Sequence, residues 1–356
     1  MRRKTRELRI GGVKVGGGAP ISVQSMTNTD TANVEATVSQ IKALEKAGCE
    51  IVRVAVPDMA AAESLKPIKK EIGIPIIADI HFDWRLALKA HDMGVDGLRL
   101  NPGNIGSNER VKAVVKEARD RKVPIRIGVN AGSLEKDILS RYGHPRAEAL
   151  VESAMRHIMI LEDMDFRDIK VSLKASSVRM TIESYRLLSE KVDYPFHIGV
   201  TEAGTLFSGT VKSSVGLGVL LSEGIGDTLR VSLTGDPVDE VRVGWEILKS
   251  LELRKRGINL VSCPTCGRIK LDCVSIALEV EKRLSHIEEP LNIAIMGCVV
   301  NGPGEAIGSD VGLAGGDGVG LIYVKGKPVR KVREEDAVNA LIEEVGKVLK
   351  ERAASN

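Results

Sequence analysis

The chain has 356 residues, 43% of them apolar, enough for two ordinary domains or a barrel with an appendage, and global disorder is excluded. Lysine and arginine total 51 against 48 acids, for a net charge of +3, and aromatics are 3%, so the basic excess and stacking surfaces of a nucleic-acid-binding protein are missing. Five cysteines are too few for a disulfide framework, no apolar leader follows the basic start, and no apolar run approaches the ~20 residues of a membrane helix; a cytoplasmic protein is expected.

Residues 7–15 predict a hairpin turning at Gly11-Gly12. A β-branched run followed by a helical period of 3.6 then recurs. Strands are expected at 21–26, 51–56, 74–80, 97–101, 124–130, 168–175, 195–202 and 228–234. Helices among them are expected at 32–47, 108–121, 178–191 and 238–251, with Asp58, Ser177 and Asp236 as caps. Eight βα units over about 250 residues predict an α/β fold, the TIM (β/α)8 barrel. An open doubly wound sheet is the competing architecture, but no G-x-G-x-x-G follows the first strand. Residues 141–145 read as a loop insertion between the fifth and sixth strands. The pattern breaks at 251–257. Beyond it, strand 258–262, helix 269–284, strand 291–296, a glycine-rich loop, strand 319–324 and a final helix 334–352 predict a small α+β domain. The final helix carries Ala337, Leu341, Val345 and Val348 on one face for core packing. The expected domains are therefore 1–254, the barrel, and 255–356, a small domain that carries four of the five cysteines.

The strongest local signal is Cys263-Pro264-Thr265-Cys266-Gly267. Two thiolates at this spacing chelate one metal or two corners of a cluster. Zinc ribbons use the same motif, but a structural zinc wants a second matching pair. The third thiol, Cys298, follows an apolar strand and enters a glycine-rich loop, where small residues let the backbone approach a bulky cluster and offer amides to its sulfurs. Three thiolates leave one iron of a [4Fe–4S] cluster with an exchangeable ligand. Cys273 is either a fourth thiol or a small buried hydrophobe one to two turns into a helix; Cys49 reads as core.

In a TIM barrel, chemistry sits at the carboxyl ends of the strands. There stand Arg53, Asp79 and His81, Arg99 and Asn101, Arg126 and Asn130, Lys174, Glu202, and Arg230 with Ser232. A single arginine at such a place is ordinarily a solvated surface residue. Four arginines and a lysine on one rim would repel one another and imply a polyanionic ligand, and guanidinium forks suit diphosphate. Strand parity agrees, since Arg99 with Asn101, and Arg126 with Asn130, each keep one face. Glu202 is a catalytic acid or hydroxyl partner, or else the counter-ion of Lys174.

Val23-Gln24-Ser25-Met26-Thr27, Ala78-Asp79-Ile80-His81-Phe82, Leu98-Arg99-Leu100-Asn101-Pro102-Gly103-Asn104, Arg126-Ile127-Gly128-Val129-Asn130, the Cys263–Arg268 run and Met296-Gly297-Cys298-Val299-Val300-Asn301-Gly302-Pro303-Gly304-Glu305-Ala306 resemble the bacterial 4-hydroxy-3-methylbut-2-enyl diphosphate synthases of the non-mevalonate route to isoprenoids. The resemblance runs the length of the chain. It implies the substrate 2-C-methyl-D-erythritol 2,4-cyclodiphosphate and its two-electron reductive ring opening with loss of water. It implies reduced ferredoxin or flavodoxin as electron source, and a homodimer in which the cluster domain of one subunit closes over the barrel of the other. Glu305 lies seven residues past Cys298, with Gly302, Pro303 and Gly304 to turn the chain back, and is expected to be the resting ligand of the fourth iron, or else to cap the loop. The rival reading is a barrel transferase with a structural metal site, such as the pterin-using synthases.

Overall fold

The β-branched runs of the first 254 residues fold as eight parallel strands behind an N-terminal hairpin. The computed structural model describes residues 1–316 and 318–355, and the chain divides into two compact units, Met1–Arg254 and Lys255–Asn356. In the first, β1 (Leu8–Ile10) and β2 (Val13–Val15) pair antiparallel around Gly11, whose φ of 54° favours glycine. The barrel strands are β3 (Ser22–Met26), β4 (Ile51–Ala55), β5 (Ile76–Asp79), β6 (Gly97–Arg99), β7 (Ile125–Asn130), β8 (Ile169–Lys174), β9 (His197–Ile198) and β10 (Thr228–Leu229). They pair in chain order, β10 returns to β3, and a parallel bridge between Val171 and Phe196 nearly closes the ring. This is the TIM barrel expected from the sequence.

Alternation along the strands sorts the residues by face. Val23, Val52, Val54, Ala78, Leu98, Ile127, Val171 and Leu173 point outward and form the main apolar core with the helices. The inward positions carry Gln24, Arg53, Asp79, Arg99, Arg126, Lys170, Lys174 and His197, all but Arg53 buried. Barrels of this class ordinarily fill their centre with branched apolar side chains. Here that apolar filling is confined to the floor, where Leu8, Ile10 and Val15 of the hairpin pack on Ile51 and Ile77. The helices start where short polar side chains can take an orphan amide: Asp58 accepts from Ala61 N at 2.9 Å, Ser177 from Met180 N at 3.2 Å and Asp236 from Val238 N at 2.9 Å.

Two expectations for this unit are corrected. Residues 141–145 are not simply a loop: the helix Lys136–Tyr142 runs into Gly143, whose φ of 75° ends it, and Ala147–Glu162 follows. Strands seven and eight shrink to β9 and β10. Past them Arg230 N still donates to Ile198 O at 3.0 Å, and at Gly199 a Cβ would stand 2.5 Å from the Arg230 carbonyl and 2.7 Å from Lys174 Nζ, so the chains pass close there.

The second unit is a five-stranded sheet in the order β11 (Ile258–Ser262), β12 (Leu291–Met296), β13 (Val311–Gly316), β14 (Val319–Val324), β15 (Lys327–Arg333). The first three are parallel and the last two antiparallel. Ala337, Leu341, Val345 and Val348 are buried in its core as the sequence predicted. The glycine-rich stretch is not all loop, because it contains the helix Gly302–Gly308 and β13. The missed β15 is a charged edge strand bearing Pro328. The helix expected from 269 begins at Cys273, because the Asp272 carboxylate accepts from Ser275 N at 3.1 Å; Cys273 is its first residue.

Candidate active site

The carboxyl ends of the barrel strands surround a cavity of about 130 Å³ lined by Arg53, Asp79, His81, Arg99, Arg126, Asn130, Ser172, Lys174, Thr201, Arg230 and Ser232. Five of these are cationic and one is a carboxylate. Asp79 is the hub: its Oδ1 accepts from Arg99 Nη1 at 3.2 Å, and its Oδ2 lies 3.5 Å from Arg53 Nε. Burial pushes its carboxyl up, but Arg53, Arg99 and Arg126 outweigh that and hold it below the usual carboxylate range. Burial, with Arg230 and Arg99 nearby, pulls Arg53 down to about 10, which leaves it charged at neutral pH. His81 is pulled below its ordinary value by burial, with Arg99 and Arg53 adding to it against Asp79, so its neutral ring can accept from Arg99 Nη1 at 2.9 Å.

Outside the barrel wall, Glu240 of the helix Pro237–Ser250 grips Arg230 through two hydrogen bonds of 3.1 Å and accepts from Ser25. Lys174 Nζ faces His197 Nε2 at 3.4 Å, and His197 Nδ1 meets Thr228 Oγ1 at 2.7 Å. Burial and then repulsion from Arg126 hold Lys174 well below an ordinary lysine. Arg126 is 2% exposed, and its Nε and Nη1 have no hydrogen-bond partner among the described residues.

Of the expected substrate residues, Arg53, Asp79, Arg99, Arg126, Asn130, Lys174, Arg230 and Ser232 line the cavity. Asn101 does not: its amide is committed to the Gly128 backbone, donating at 3.0 Å and accepting at 2.9 Å. Glu202 is exposed, at a φ of 52°, and is not among the lining residues. Sequence reasoning passed over Glu240, which lies on a helix outside the strand pattern. Ser172 shares the parity of Lys174 on β8 and could have been read from it.

In the second unit, Cys263 follows β11 and Cys298 lies two residues past β12, at the same end of neighbouring parallel strands; Cys263 N donates to Ile295 O. The turn with Cys266 is tied back by Lys270 N to Gly297 O at 2.8 Å. Hydrogen bonds from the Val300 and Asn301 amides hold the Cys298 thiol below its ordinary value, with help from Arg268. Cys273 sits behind them: burial and then the Cys263 thiol push it up to about 11. Gly297 fits because a Cβ there would stand 2.7 Å from Cys273 Sγ. Among the described residues no three His, Cys, Asp or Glu side chains converge on a single metal ion. Two thiols at the ends of neighbouring strands and a third in the adjoining turn, one of them lowered by backbone amides, suit a multi-iron group with soft ligands. Glu305 is exposed in the helix Gly302–Gly308, with its amide bonded to Asn301 O.

Fold and sites define a barrel with a cavity rich in basic side chains and a separate thiol-bearing unit. The models of the GcpE TIM-barrel domain and the GcpE protein C-terminal domain match residues 5–245 and 259–347, and the chain belongs to the GcpE family. It is 65% identical over 352 residues to the 4-hydroxy-3-methylbut-2-en-1-yl diphosphate synthase (flavodoxin) of Geobacter sulfurreducens, covering 99% of this chain and 100% of that one. The protein of the same name from Symbiobacterium thermophilum is 60% identical, with 99% and 96% covered. Among solved structures, the dihydropteroate synthases of Yersinia pestis and Stenotrophomonas maltophilia superpose with TM-scores of 0.50 at 10% and 12% identity. They cover 69% and 70% of this chain and 97% of each of theirs, a likeness of barrel fold alone.

Proposed function

We propose that this chain opens 2-C-methyl-D-erythritol 2,4-cyclodiphosphate reductively to 4-hydroxy-3-methylbut-2-enyl diphosphate, with reduced flavodoxin or ferredoxin as electron donor, and works as a cytoplasmic homodimer. The observation that carries the reading is Arg126: a buried guanidinium lining a cavity of five basic side chains, with two nitrogens that lack acceptors among the described residues. Such a group stays charged and costs free energy until an anion arrives. The names of the relatives supply the particular diphosphate, whereas the pterin-using alternative rests on fold likeness alone.

In this reading Arg126, Arg53, Arg99, Lys174 and Arg230 bind the diphosphate, and Asn130 and Ser232 orient it. Asp79 keeps Arg53 and Arg99 aimed at the anion. Two electrons and a proton enter, the ring C–O bond breaks to leave a free phosphate end, and a hydroxyl departs as water. Cys263, Cys266 and Cys298 would hold a [4Fe–4S] cluster, with Glu305 at its fourth iron; when bound, it supplies electrons and an exchangeable Lewis-acidic position. No helix among the described residues is long and apolar enough to cross a membrane.

The test is anaerobic purification followed by metal analysis and calorimetry. About four irons per chain with little zinc is expected, together with cyclodiphosphate binding that Arg126→Met weakens by roughly a hundredfold without changing iron content, about what one or two charge-assisted hydrogen bonds contribute. Unchanged affinity in Arg126→Met would sink the anion assignment. Zinc in place of iron would sink the reductive one.

A further inference from the structure

Lys170 has no role in the account so far. It stands on the inner face of β8 below Ser172 and Lys174, paired in register with Arg126 of β7. It is 1% exposed, and its Nζ has no hydrogen-bond partner among the described residues. The groups facing it are Arg126 from β7, Arg53 from β4, His197 from β9, and from below Asp227, which already accepts from Arg2, Thr5 and the Phe196 amide. Tyr185, behind β8, is occupied by His197 O and Leu173 N.

An ammonium in this position would sit beneath a guanidinium that cannot release its own charge. Burial, and then Arg126, hold Lys170 well below an ordinary lysine. Binding an anion on Arg126 reverses the balance, because negative charge in a water-poor space favours a second cation below it.

We propose that Lys170 is the proton-uptake group of the anion site: its Nζ is a neutral amine in the free barrel and takes a proton from solvent, becoming an ammonium, when a diphosphate seats on Arg126. The inference rests on the diphosphate reading given above. It explains how the barrel holds enough positive charge for a polyanion without carrying the full repulsion while empty. The sign follows: uptake stabilises the complex, so affinity falls as pH rises through the Lys170 value in the complex.

The cyclodiphosphate carries phosphate charges that do not titrate near neutral pH, so it reports protein protons alone. Its binding to the unreduced holoenzyme is measured by calorimetry at one pH in two buffers of different ionisation enthalpy. Wild type should take up roughly one proton per ligand, and Lys170→Met roughly none, with an affinity that no longer depends on pH across that range. Lys170→Gln serves if the methionine variant misfolds; if neither folds, Lys174→Met and His197→Gln should each still take up roughly one proton, and loss of uptake in either overturns the proposal. Zero uptake in wild type overturns the proposal, as does uptake that persists in the variants from Lys174 or His197. Binding without uptake removes only the role of Lys170; no binding by any protein removes the diphosphate site and that role with it.

Discussion

A methyl group at residue 128 is the sharpest single-atom test of the cavity. Gly128 lies on the inner face of β7, and a Cβ there would stand 2.6 Å from Arg99 Nε. Gly128→Ala therefore displaces the guanidinium held by Asp79 and His81 while keeping the backbone conformation. We expect the fold to survive and cyclodiphosphate affinity to fall by about tenfold or more, the order of one charge-assisted hydrogen bond; calorimetry beside a thermal melt separates the two. Asp79 gives a pH-dependent counterpart. Its pKa is depressed in the fold, so its contribution is present above the ordinary carboxylate value and is lost as pH falls through the depressed one. Asp79→Asn should flatten that acid limb of the stability curve, and its loss of Tm at neutral pH should be smaller with the cyclodiphosphate bound, since the anion then offsets Arg53 and Arg99. An equal loss with and without ligand would show that Asp79 is not balancing the anion site. The cations were legible in the sequence because Arg53, Arg99, Arg126, Lys174 and Arg230 fall near the carboxyl ends of expected strands; parity groups Arg99 with Asn101 and Arg126 with Asn130 on one face, and the fold turns that face inward. Asn101 passed the same parity test, yet its amide bonds the Gly128 backbone of the next strand and it does not line the cavity; cross-strand hydrogen bonding depends on register, which one sequence does not print.

At the scale of elements, signals with a local cause were readable and those with a tertiary cause were not. Asp58, Ser177 and Asp236 cap as expected, since a cap is a contact between residues two or three apart. Asp236→Ala should lower stability by about 1 kcal/mol, seen as a shift in denaturant midpoint at constant slope. Because that helix carries Glu240, which grips Arg230 and takes the Leu233 amide at 3.0 Å, the same variant should also loosen cyclodiphosphate binding slightly; Asp58→Ala, which uncaps the helix Met59–Glu71, should cost similar stability and leave affinity alone. β13 and β15 were hidden for opposite reasons. Val311–Gly316 carries three glycines and reads as loop, yet two of them are required by crowding: a Cβ at Gly312 would meet Ala306 at 2.7 Å and one at Gly315 would meet Leu271 at 2.8 Å. Lys327–Arg333 lacks an apolar face because only Val332 is buried, and an edge strand needs no more.

At the scale of the molecule, the two units have separate apolar cores, one around the barrel helices and one around β11–β15. The proposed tasks divide in the same way, with the anion on one unit and the cluster on the other, so lesions should separate cleanly. Cys298→Ser removes the thiol favoured by the Val300 and Asn301 amides and should deplete iron while leaving cyclodiphosphate affinity within about twofold, as expected for lesions in separate units without shared partners. Arg126→Met should do the reverse. Each variant alone is expected to be inactive, which makes the pair a test of assembly. If the protein is a homodimer that combines the barrel of one chain with the cluster unit of its partner, a heterodimer of the two variants holds one site built from two intact halves and one from two damaged halves. Co-expressed with different affinity tags and purified through both, it should then regain up to about half of wild-type activity per dimer, because one of its two sites is whole. If catalysis instead joins the two units of the same chain, every site in the heterodimer carries one lesion and activity stays at the level of the single variants. Sedimentation of the doubly tagged sample fixes its composition, so an inactive heterodimer of confirmed stoichiometry excludes the exchange between chains and leaves the anion and cluster assignments to stand on the single variants.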